Sequence, residues 1–106
     1  MAWLMLLVAG IFEVIWAYSM KLSMGFTRLT PSLVTLVTMV ISFALLALAM
    51  RSLPLGTAYM IWTGIGAVGA FAMGVFFLGE QLSPMRVFAA VLILAGIVLM
   101  RVANGD

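Results

Sequence analysis

Glu13 stands in Gly10-Ile11-Phe12-Glu13-Val14-Ile15-Trp16-Ala17, inside an otherwise apolar run from Met1 to Met20. A charged side chain at mid-membrane depth costs roughly 2.5–3.5 kcal/mol on insertion scales, so such a residue is a functional candidate by default. Two roles are open to it. It can be a protonated, hydrogen-bonded structural residue or an oligomer contact, or it can exchange a proton for a cation. The neighbours favour exchange. On a helix, Leu6, Ala9, Gly10, Trp16, Ala17 and Met20 share the Glu13 face. Gly10 lets a backbone or ligand come close to the acid, and Trp16 offers a flat wall with an indole donor.

The rest of the chain must hold that acid in a membrane. Of 106 residues, 67% are hydrophobic and only 8% charged, whereas a soluble surface wants about 25% charged residues. This is a membrane composition. The net charge of +2 rests on five scattered basic residues, so there is no basic patch and no nucleic-acid partner is expected. Absence of Cys and His removes thiolate and imidazole metal sites, and no metal or cofactor is expected. No nucleophile with a base and no phosphate loop is present, so no enzymatic site is expected either. The N-terminus has neither a basic region nor a small-residue cleavage site, which reads as a retained span and not a signal peptide.

Long apolar runs without period-two alternation select helices over a barrel. Four spans are predicted, at about 2–20, 31–50, 56–78 and 85–101, forming a single all-α integral membrane domain over 1–106. Lys21 can snorkel at the first span's end, and Gly25 is expected to break that helix. Thr30-Pro31 reads as the N-cap and first position of the second span. That span carries Thr35, Thr38 and Ser42 on one inward face, where hydroxyls either bond their own backbone or line a site; self-bonding is least expected of Ser42.

The third span places Tyr59, Trp62, Thr63 and Gly66 along one face and crowds Gly64, Gly66, Gly69 and Gly74 together. Each glycine costs about 1 kcal/mol in an exposed helix interior. The glycines serve tight packing, a gating hinge, or both. Tyr59 is shallow enough for an interfacial aromatic belt, and Trp62 is about a turn deeper. Glu80 falls in a polar turn and is expected to be dispensable. Between Arg86 and Arg101 only fourteen apolar residues occur, so the arginines must snorkel or the helix must extend through them. Ala89 and Gly96, seven apart, form a small-residue stripe for packing against another helix.

With four spans both termini share a face with Arg51 and Arg101, against Lys21, Arg28 and Arg86 on the other. So small a bias predicts insertion in both orientations. A two-way-inserted chain can pair with itself, which suggests an antiparallel, dual-topology homodimer with two Glu13 carboxylates facing one cavity. A cation favours the ionised carboxylates and a proton the neutral ones, so their occupancies exclude each other, and that exclusion is antiport.

These motifs resemble the small multidrug resistance family of four-helix, proton-coupled exporters that work as antiparallel homodimers in the bacterial cytoplasmic (inner) membrane. The resemblance covers essentially the whole chain. It is carried by Phe12-Glu13-Val14-Ile15-Trp16-Ala17, by Lys21, and by the run from Pro54 through Gly56-Thr57-Ala58-Tyr59 and Trp62-Thr63-Gly64-Ile65-Gly66 to Ala67. Trp16 and the third-span motifs look like the guanidinium-exporter subtype, since polyaromatic-cation exporters usually carry a small residue where Trp16 stands. The resemblance implies that Glu13 binds guanidinium or protons in turn. It further implies that Ser42 and Trp16 orient the carboxylates, Tyr59 and Trp62 line the site, and Gly64 and Gly66 mark a bend. The first glycine of the family's dimer stripe is Ala89 here. A broad quaternary-ammonium exporter is the alternative, favoured by the aromatics and ten methionines; a non-transporting helper subunit is a second.

Overall fold

The computed structural model describes residues 1–103. It contains α1 (Ala2–Leu22), α2 (Leu29–Ala49), α3 (Leu55–Phe77) and α4 (Pro84–Ala103). All four are long and apolar enough to cross a membrane, and in lipid a helix is the element that satisfies every interior backbone group within one segment. The protein is therefore an all-α, multi-pass membrane protein.

The helix ends show local causes. Lys21 lies in the last turn of α1, where its charge suits the negative end of the helix. The helix stops at Leu22, ahead of Gly25. Ser23 then folds its hydroxyl onto Met20 O at 2.6 Å and accepts the Phe26 N–H at 3.0 Å. Met24, Gly25 and Phe26 all have positive φ, so the reversal is spread over three residues and does not rest on the glycine alone.

α2 begins two residues before Pro31. Its N-cap is Arg28, without a side-chain cap, and Thr30 is inside the helix. Pro31 is still tolerated because the first turn has no use for its missing N–H. At α4, Ser83 accepts the Arg86 N–H at 3.2 Å and Pro84 is the first helical residue, the usual pairing of a hydroxyl cap with proline. The fourteen-residue apolar run thus sits inside a 20-residue helix, about 30 Å long and sufficient to span. Val102 and Ala103 belong to that helix; the rest of the tail lies outside the described residues.

α1 is the central element, packed against both α2 and α3, while α4 packs against α3. Small residues permit this. A methyl group on Gly10 would stand 2.6 Å from Ile65 Cγ2, and one on Gly64 would stand 2.9 Å from Ile97 Cδ1. The buried core joins Leu6 and Ala9 of α1, Leu46 and Ala49 of α2, and Ala58, Ile61 and Trp62 of α3. α4 contributes no buried residue.

Candidate functional site

The site forms where α1 meets α3. Glu13 projects from α1 onto the α3 backbone at Gly66, where an added methyl group would collide with the carboxylate. Only a residue without Cβ leaves this seat open, so Gly66 positions the acid by absence. One turn on, a methyl group at Gly69 would collide with Val14. The two glycines thus let α1 lie close against α3 on both sides of the carboxylate.

Glu13 Oε1 and Trp16 Nε1 are buried atoms without a hydrogen-bond partner among the described residues. One is an acceptor and the other a donor, one turn apart on α1. Buried polar groups are nearly always paired, so this orphaned couple marks a place for a ligand, water or partner chain.

Ser42 resolves differently from its neighbours. Thr35 and Thr38 return their hydroxyls to their own helix, donating to Pro31 O at 2.8 Å and Val34 O at 2.7 Å. The Ser42 hydroxyl instead donates across to Ala9 O at 2.7 Å and accepts Trp62 Nε1–H at 3.0 Å. One fully buried hydroxyl therefore ties α1, α2 and α3 together one turn before Glu13. This matters because α2 and α3 barely meet otherwise.

The aromatic residues form a connected row. Trp16 meets Phe43 edge-on at 6.3 Å, Phe43 lies 5.6 Å from Trp62, and Trp62 lies 5.7 Å from Tyr59. Trp62 is 5% exposed, whereas Tyr59 is 52% exposed, so the row runs from buried to open. The sequence alone does not single out Phe43. Its only signal there is adjacency to Ser42, and its place in the row depends on how α2 packs.

The remaining candidates separate. α3 is helical through Gly64 and Gly66, and both glycines accommodate close approaches in this conformation. Ala89 and Gly96 lie exposed on α4, and nothing stands within 4 Å of a methyl group placed on Gly96.

A half-buried acid on a four-helix, membrane-spanning scaffold defines a small multi-pass protein with an ionisable centre. Comparison with known proteins makes the class specific. The small multidrug resistance protein family matches residues 1–93, and the chain belongs to that family. It is 52% identical over 104 residues to a protein named guanidinium exporter from Citrobacter freundii, covering 98% of this chain and 99% of the relative. It is likewise 54% identical over 103 residues to a guanidinium exporter of Salmonella typhimurium strain LT2, with 97% and 98% covered. The guanidinium exporter of Escherichia coli strain K12 is 52% identical over 104 residues, with 98% and 99% covered.

Proposed function

We propose that the protein exports guanidinium cations in exchange for protons, with both ligands competing for Glu13. The observation that carries this reading is the Glu13 carboxylate itself, seated on Gly66, with a buried oxygen and, one turn on, a buried Trp16 indole N–H that both lack a partner among the described residues. Guanidinium is a planar donor whose N–H groups meet carboxylate oxygens side by side. The relatives' names point to the same cation.

The working unit is an antiparallel homodimer in a bacterial cytoplasmic membrane, with a Glu13 from each copy in one cavity. Two features support a second copy. α4 spans 20 residues with none buried, and Gly96 on it faces open space, suited to close helix packing in lipid. The near balance of Lys and Arg between the two faces suits both insertion orientations. Gly64 and Gly66 remain the places where α3 can bend during the exchange.

Proteoliposomes loaded with a pH-sensitive dye test the exchange. An imposed guanidinium gradient should move protons the opposite way through the wild-type protein and not through Glu13→Gln, whose amide cannot release a proton. Proton-coupled guanidinium uptake by Glu13→Gln overturns the reading, and proton movement without any other protein excludes a helper subunit.

A further inference from the structure

We propose a second, outer cation site on Glu80 that takes guanidinium, with the Arg86 side chain supplying the same chemical group when no substrate is there; the ligand's identity rests on the function proposed above. The site lies where the end of α1, the end of α3 and the start of α4 meet.

Glu80 is not a free turn residue. Gly79 has φ +69°, and the N–H groups of Leu78 and Glu80 both donate to Gly74 O, at 3.1 and 3.0 Å. This fold-back is the glycine-closed helix ending, which satisfies a terminal carbonyl. It carries the Glu80 carboxylate back over α3, where a methyl group on Gly74 would collide with it. The arrangement repeats that at Glu13. Gly66 and Gly74 are two turns apart on one face of α3, about 12 Å along the helix, and each seats a carboxylate.

The negative end of α3 is an unfavourable place for a carboxylate unless a cation accompanies it. Lys21 and Arg86 line the same cavity as Glu80, and the Arg86 Cζ lies 5.7 Å from the centre of the Phe71 ring. A carboxylate, an aromatic face and a helix C-terminus thus surround a space that already accommodates a guanidinium group. Arg86 and Lys21 are exposed, flexible side chains and can swing to the headgroups when a free guanidinium ion takes the place. The exchange replaces one cation by another and buries no additional net charge.

The cavity also leads inward. Its walls include Ala17, one turn beyond Glu13, together with Ala67 and Ala70 beside and beyond the Gly66 seat. Small side chains along this stretch carry the cavity to within one helical turn of Glu13. A cation held at the mouth raises the local concentration that Glu13 meets.

Initial rates of guanidinium uptake into proteoliposomes at low ionic strength test this. Glu80→Gln should raise KM by about two- to fivefold, the size of a solvent-exposed charge pair, with Vmax unchanged. Arg86→Gln should lower KM, and both differences should fade at high salt. A purely structural turn would move Vmax and yield together in both variants, without opposite shifts in KM. An unchanged KM in Glu80→Gln, or a rise in both variants, overturns the outer site. Should Glu80→Gln fail to assemble, Arg86→Gln still reads the competition, and an unchanged KM there overturns the proposal. Amide NMR of Glu13→Gln titrated with guanidinium separates the two sites: Gly79 and Glu80 should shift, and should not when Glu80→Gln is added. Shifts without wild-type transport leave the outer site standing and remove the proposed function. Transport without Glu80-dependent KM or shifts does the reverse.

Discussion

The Glu13 carboxylate rests on Gly66, at a point of α3 where a single methyl group would displace it. The acid and the glycine come from different helices, and neither position explains itself without the other. Gly66→Ala should therefore leave four membrane helices intact while moving the carboxylate out of its seat. Circular dichroism should be unchanged, and guanidinium-driven proton movement should fall by at least about tenfold, since small misplacements of a reacting group carry penalties of that order or more. Gly10→Ala makes the control: its methyl group would meet Ile65 and not the acid, so it should cost about 1–3 kcal/mol of stability through overpacking.

Ser42→Ala should act through three helices at once. It removes the hydroxyl that donates to Ala9 O and accepts from Trp62 Nε1, leaving a buried indole donor unpaired at about 1–3 kcal/mol. Trp62→Phe removes that donor and leaves the Ser42 to Ala9 bond in place, so its polar penalty should be smaller. Denaturant titration in micelles, read together with transport, checks the order.

Part of this was legible in the sequence, and the exceptions divide between left-handed turns and contacts between helices. That the chain forms four long apolar helices could be read from hydropathy, because lipid permits little else. Thr30 carries the right residue type for an N-cap, yet the left-handed turn through Phe26 already brings the chain into helix at Leu29. Ser42 reads as the hydroxyl least given to bonding its own helix, but its two partners could not be read, since Ala9 and Trp62 are far apart in the chain. Phe43 escapes the sequence for the same reason, since its place in the row depends on a contact between helices, whereas the fold-back of Glu80 is local, set by the left-handed Gly79 at the end of α3.

In the proposed exchange protons and guanidinium compete for one carboxylate, which fixes the sign of the pH dependence. A bound cation favours the ionised form, so apparent guanidinium affinity should strengthen as pH rises and level off once the carboxylates are ionised. Binding titrations between about pH 6 and 9 check this; a flat response there would be expected of an acid that titrates near its unperturbed value of about 4.3.

Topology offers a test of the assembly that does not involve the site. Adding two or three lysines beyond Asp106 should lock one orientation and abolish transport. Co-expression with an oppositely locked copy should restore it, and full activity from one locked orientation would argue for a parallel dimer.

Substrate choice should depend on Trp16. Its ring stands edge-on to Phe43 at 6.3 Å, and its buried indole N–H has no partner among the described residues, one turn from the acid. One turn from the carboxylate on α1, the ring would narrow the proposed site to a small flat ion. Guanidinium can answer both carboxylates of a dimer through its N–H groups. A quaternary ammonium brings charge without a donor and leaves acceptors unpaired, a loss of about 1–3 kcal/mol per group. Guanidinium should therefore be preferred over tetraalkylammonium ions by at least about tenfold in transport, one such loss being roughly that factor. Trp16→Gly removes the wall, so the preference should narrow and bulkier cations should be carried. Solid-supported-membrane currents for guanidinium, substituted guanidines and tetraalkylammonium ions measure all of these side by side. Wild-type protein that carries tetraalkylammonium freely and guanidinium not at all would make it a broad quaternary-ammonium exporter instead.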